Sequence, residues 1–120
     1  MKKLLLIAVV LISVTSCLIN TFSISIPSWA YGDWYAEDML SSDYVSIGAN
    51  YINGKIEGIR FSVDSSTPYV SEHRYDDERR YSLLFDSSIS NLGRLSISET
   101  VDGILVSITY LGKIYSGFFV

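Results

Sequence analysis

Few side chains in this sequence could carry chemistry. His73 is the sole histidine and Cys17 the sole cysteine of a 120-residue chain. His73 lies in the run Glu72-His73-Arg74-Tyr75-Asp76-Asp77-Glu78-Arg79-Arg80, with Ser71 and Asp76 close by, and serine, histidine and aspartate are the residue types of acyl transfer. A triad requires those groups to converge in space, which close neighbours on one strand and loop seldom do. Asp76, Asp77 and Glu78 could offer oxygens to calcium, but the run lacks the alternating carboxylates and central glycine of an EF-hand loop. It reads instead as a solvated hairpin tip whose like charges keep a strand edge soluble. The chain contains no Gly-rich phosphate loop after a strand, no Cys-X-X-Cys, no His-Glu-X-X-His and no Gly-X-Ser-X-Gly. The sequence therefore points away from an enzyme: no catalytic residue, no metal site and no cofactor is expected.

The aromatic residues are the second resource. Two tryptophans, nine tyrosines and five phenylalanines are many for a chain this short. Most are expected in the core, where large side chains fill a narrow interior efficiently. The tyrosines, Tyr31, Tyr35, Tyr44 and Tyr75 among them, outnumber what one small core takes, and Tyr also suits interfaces and sugar-binding surfaces because it is amphipathic and stiff.

Cys17 acquires meaning from what precedes it. Lys2 and Lys3 form a positive n-region, and residues 4–14 are an apolar run broken only by Ser13, of h-region length and too short to span a bilayer. Residues 1–16 are thus expected to be a secretory signal peptide. An exported protein meets an oxidising compartment, yet a lone cysteine cannot make an internal disulfide. The stretch Val14-Thr15-Ser16-Cys17 resembles the bacterial lipobox, with relaxed residues at the third and second positions before the cysteine, Val14 and Thr15. That resemblance implies a thioether-linked diacylglyceryl group on Cys17, cleavage before it, and acylation of the new amino terminus. Two or three acyl chains anchor stably where one would be marginal. Residues 17–28, uncharged and Ser-containing with Pro27, then read as the lipidated cysteine and a short tether. The expected location is the bacterial cell envelope. Leu18 is not Asp, so it lacks an inner-membrane retention signal known from some diderm bacteria, and this points to the outer membrane if the source has one.

Removal of the signal leaves seven basic against 13 acidic residues, a net charge of −6. An acidic domain with scattered basic residues repels phosphate backbones, which argues against nucleic acid as a partner.

The elements that must position these groups are extended. From Trp29 onward no window of eleven residues has helical apolar spacing, and what repeats is alternation. Extended segments are expected at 32–36, 44–47, 55–63, 69–74, 80–85, 95–98, 104–110 and 114–119, with one helical turn at most, around residues 36–40. Asn53-Gly54 suits a type I′ hairpin turn and Gly112-Lys113 a type II′ turn. The second turn places Ile104, Val106, Ile108 and Tyr110 on one core face with Tyr115, Gly117 and Phe119. Alternation slips at Gly58, where a bulge would restore it. Eight short antiparallel segments suit an all-β domain over 29–120, an up-and-down β-barrel or, as the alternative, a two-sheet β-sandwich.

The opening Trp29-Ala30-Tyr31-Gly32-Asp33-Trp34 resembles the Gly-X-Trp first strand of calycins, the lipocalin-like barrels, as found in many small bacterial lipoproteins. The resemblance implies that Gly32 lets the first strand curve and that Trp34 plugs one end of the barrel. The chain lacks the long first loop and late helix of lipocalins proper, and a barrel this short has room to fill its interior with its own side chains. Two functions follow as expectations. One is a lipid-anchored, non-catalytic lipoprotein that binds a small apolar ligand in its barrel, by residues the sequence does not identify. The other is a protein-interaction lipoprotein with a filled barrel: a surface antigen, an envelope scaffold or a hydrolase inhibitor.

Overall fold

A computed structural model of the chain describes residues 24–38 and 40–120. The signal segment, the lipobox and Cys17 lie outside the described residues. Alternation sets the strands: in the segment 104–110, Ile104, Val106 and Ile108 are buried while Leu105 is exposed. In chain order the strands are β1 (Gly32–Tyr35), β2 (Tyr44–Ile47), β3 (Ile52–Ile56), β4 (Ile59–Val63), β5 (Ser71–Tyr75), β6 (Arg80–Leu84), β7 (Leu92–Glu99), β8 (Ile104–Tyr110) and β9 (Lys113–Phe119). Single 3-10 turns occupy Ser28–Ala30 and Asp76–Glu78. Every pairing is antiparallel between consecutive strands, giving a four-stranded sheet β1-β2-β3-β4 and a five-stranded sheet β5-β6-β7-β8-β9.

The expected closed barrel is not formed. The two sheets meet at one corner, where Ala36 bridges Phe119 and Tyr35 and Val120 exchange backbone hydrogen bonds of 3.0 and 2.8 Å. Closure would also require β4 to pair with β5, and these strands belong to different sheets. Between them Asp64 to Thr67 forms a turn, Pro68 has no N–H to give, and Val70 N–H already donates to Leu84 O at 2.7 Å. The chain therefore joins the edge of β6 rather than β4. The result is all-β with two antiparallel sheets, consistent with the two-sheet alternative. Apolar residues from both sheets, including Ile52, Ile56, Leu83, Leu95, Ile97 and Ile104, form one core cluster.

Two turns fall elsewhere than expected. The segment 55–63 is not one strand with a bulge but a hairpin turning at Glu57-Gly58, both at positive φ (50° and 84°). Asp43 fixes it there, its carboxylate accepting from the N–H groups of Glu57 (2.7 Å) and Gly58 (3.4 Å). Asn53-Gly54 lies inside β3, where Gly54 sits so close to β2 that a Cβ would come 2.2 Å from Tyr44 O. The last hairpin turns at Leu111-Gly112 (φ 50° and 80°), not Gly112-Lys113, so Ile108 opposes Tyr115 and Ile104 opposes Phe119. This slides the register by two residues, which preserves the expected core face.

The stretch 24–28, expected as the end of a tether, packs on the domain: Ile24 and Ile26 are buried. Ser25 N–H donates to Glu72 Oε2 at 2.8 Å and Ile26 N–H to Ala49 O at 3.0 Å. One contact lies on each sheet's side, so this segment straps the two together.

Candidate functional site

Strand alternation divides the charged run around His73 between two sides of β5. Glu72 and Arg74 oppose Leu83 and Tyr81, whereas Ser71, His73 and Tyr75 oppose Leu84, Ser82 and Arg80 on the outer face. The triad reading does not assemble. Asp76 Oδ1 is 2.7 Å from Arg74 Nε, a contact that holds the guanidinium above its ordinary pKa. His73 stacks on Tyr75, with ring centroids 6.4 Å apart. Glu78 pairs with Arg80, and among the described residues no group of three or more His, Cys, Asp or Glu is placed to hold a metal ion.

Gly32 adopts φ +136° at the start of β1. Trp34 is half-buried against the core, its indole N–H donating to Ala30 O at 2.9 Å. Its expected role as a plug presupposes a closed barrel end, which these two sheets do not provide. Cys17 lies outside the described residues.

The register assembles a feature that reading along the sequence misses. On the outer face of the five-stranded sheet, His73 pairs with Ser82, Ser82 with Ser96, Ser96 with Ser107 and Ser107 with Ser116. One transverse row thus consists of a histidine followed by four serines. The row towards one end reads Tyr75, Arg80, Ser98, Leu105, Phe118, and the row on the other side reads Ser71, Leu84, Arg94, Thr109, Ile114. Strands ~4.8 Å apart make the rows about 19 Å long, and same-face rows stand ~7 Å apart. The small row therefore forms a floor between two rows of larger side chains.

Two grooves lie on this face and share Arg94. One, about 240 Å³, is lined by Tyr75, Arg80, Ser82, Arg94, Ser96 and Ser98 with parts of Tyr81 and Ile97. The other, about 620 Å³, runs from Leu84, Arg94 and Thr109 to the loop 85–91 and the Leu111-Gly112 turn. In that loop, the Ser88 hydroxyl and backbone N–H hold Asp86 below its ordinary carboxylate pKa. The Arg80 guanidinium lies 5.0 Å from the Tyr75 ring centroid. Arg94 makes no ion pair among the described residues. No family model, curated protein or solved structure matches this chain. What the face offers must therefore be judged from its own groups: hydroxyls, guanidinium N–H donors and an aromatic ring, suited to hydrogen bonding, charge pairing and stacking.

Serines at alternate positions were the available signal, visible as Ser96 and Ser98 in β7 and as Ser82, Ser107 and Ser116 in three other strands. Only pairing brings them into line.

Proposed function

We propose that this protein is a non-catalytic binding lipoprotein of the bacterial cell envelope, held by lipid on Cys17, that recognises an envelope partner with the outer face of its five-stranded sheet. We read the fold as a β-sandwich open between β4 and β5. The observation that carries this reading is the position of the free space: the grooves of about 240 and 620 Å³ lie on the outer face, while the inner faces contribute Ile52, Ile56, Leu83, Leu95 and Ile104 to a shared core with essentially no exposure. A filled interior favours surface recognition over capture of a small apolar ligand inside a barrel. The acidic charge of the mature chain supports a partner other than nucleic acid.

The test is site-specific photo-crosslinking in intact cells. A crosslinking residue in place of Leu105, on the proposed face, is expected to give a discrete adduct, and one in place of Ser62, on the outer face of the other sheet, is not. Equal adducts from both faces, or none from Leu105, would overturn the reading. The anchor is tested separately: Cys17→Ser is expected to abolish fatty-acid labelling and leave the precursor uncleaved.

A further inference from the structure

The two ends of the five-stranded sheet differ in chemistry. One end carries the entry to β5 at Val70, the loop 85–91 between β6 and β7, and the Leu111-Gly112 turn; the other carries the turns at Asp76 to Arg79 and at 100–103. At the first end Val70, Leu84, Ile89, Leu111 and Ile114 are exposed, the last three of these each to at least 70% with Ile89. Single exposed apolar side chains are ordinary, but these are gathered. Val70 and Ile89 line one small cavity of about 180 Å³, and Leu111 N–H donates to Asn91 O at 2.9 Å, which joins the turn to the same loop. Arg94 and Lys113 lie at this end without an ion pair among the described residues, and the loop carries one carboxylate, Asp86. The opposite end also exposes Tyr35 and Val101, but beside them Glu37, Asp38, Asp77 and Asp102 have no ion-pair partner among the described residues.

The chain from Cys17 enters nearer the first end. Ser25 N–H is bound to Glu72, and Glu72 shares a transverse row with Leu83, Leu95 and Ile108. From that row Leu111 is about 10 Å along the strand direction and Val101 about 23 Å. The seven steps from Cys17 to Ile24 reach about 25 Å at most. We propose that the first end lies on the membrane, with Ile89 and Leu111 in the headgroup region of an anionic bilayer and Arg94 and Lys113 beside its phosphates. Apolar insertion and attraction of cations to anionic lipid act together at such a surface. The carboxylates of the opposite end are repelled by the same lipid, so the inverted orientation is disfavoured. The acyl chains tether the domain, and this end sets which way it faces. Leu105, towards the other end of the outer face, then stays clear of the lipid.

This inference rests on the anchor proposed at Cys17 and adds the orientation of the domain upon it. With Cys17 held in a thioether, an introduced cysteine is the only free thiol of the chain. The full-length lipidated protein with Ile89→Cys, Leu111→Cys or Val101→Cys is labelled there with an environment-sensitive fluorophore and reconstituted into vesicles of phosphatidylethanolamine and phosphatidylglycerol. A blue shift, and quenching by shallow doxyl-labelled lipid, are expected at positions 89 and 111 and not at 101. Leu111→Asp combined with Lys113→Glu should remove the quenching at 89, and vesicles of phosphatidylcholine alone should weaken it. Absence of quenching at both 89 and 111, equal quenching at 101, or quenching at 89 that survives the double substitution overturns the proposal. So does a blue shift at 89 and 111 that doxyl lipid does not quench, the sign of a protein covering the patch. The mass of each sample separates the two readings. If Cys17 is acylated and the quenching pattern fails, only the orientation falls; if Cys17 carries no acyl group, the anchor falls and the orientation with it.

Discussion

Glu72 points to the inward side of β5, where a carboxylate needs partners. It has them in the Tyr81 hydroxyl and the Ser25 N–H. Tyr81 is 1% exposed, and its pKa is driven far above the ordinary 10.0, first by burial, then by its hydrogen bond to Glu72 and by that group's charge. The folded state thus keeps this proton where the unfolded chain gives it up. Stability from this source is complete below pH ~10 and falls as pH rises through it. Tyr81→Phe is expected to cost about 1–2 kcal/mol at neutral pH and to flatten the decline between about pH 10 and 11.5, measured by urea denaturation across that range. An alkaline decline as steep as the parent's would rule out Tyr81 as its source. None of this pairing was legible in the sequence, where Glu72 belonged to a charged tip and Tyr81 to a surplus of tyrosines. Their meeting depends on which side of β5 each residue takes and on the register with β6. The same alternation separates Ser71 and His73 from Glu72 and Arg74, so closeness in sequence misled at the residue scale.

The strands themselves were easier to read than their turns. β2, β8 and most of β6 and β9 coincide with the expected extended segments, because alternation of large apolar residues is a strong signal. Asn53-Gly54 looked like the best hairpin turn, but Ile52, Gly54 and Ile56 continue one buried face through it, and Asp43, fourteen residues before Glu57, holds the turn further on. A local preference worth little yielded to burial and to a long-range hydrogen bond. The two assignments predict different mutant behaviour. As a central strand residue facing the Tyr44 carbonyl, Gly54→Ala should cost about 3 kcal/mol or more, whereas Asn53→Ser, on the outward side, should change stability by less than about 0.5 kcal/mol. Asp43→Ala should cost about 1–3 kcal/mol through loss of both N–H contacts. Thermal melts of the three variants decide the matter: a mild Gly54→Ala with a damaging Asn53→Ser would return the turn to Asn53-Gly54.

In the molecule as a whole, the strap links the proposed lipid anchor to the fold. Only residues 18–23 separate Cys17 from Ile24, whose side chain is buried with that of Ile26. The backbone here touches Glu72 on one sheet and Ala49 beside the other. Because β4 and β5 do not pair, the sheets share backbone–backbone hydrogen bonds only at the corner of Tyr35, Glu37, Phe118 and Val120 among the described residues; the Ser116 N–H, donating to the Glu57 carboxylate at 3.2 Å, is a second tie and the strap a third. The sequence hid this. Leu18 to Ser28 lacks charge and contains Pro27, the composition of a spacer, and two isoleucines in alternate positions are too few to signal a packed segment. Burying an isoleucine is worth about 2 kcal/mol, so a domain beginning at Ser28 should be less stable than one beginning at Ile24 by about 4 kcal/mol. At about 4–8 °C per kcal/mol for a domain of this size, its melting temperature should fall by well over 10 °C. Ile26→Ala alone should cost about 2–5 kcal/mol in the longer domain. Equal melting of the two domains would show that the strap adds no stability and that a free tether extends to Ser28. A large difference would instead mean that residues 24–28 belong to the folded domain, which then begins seven residues after Cys17, the site of the proposed anchor.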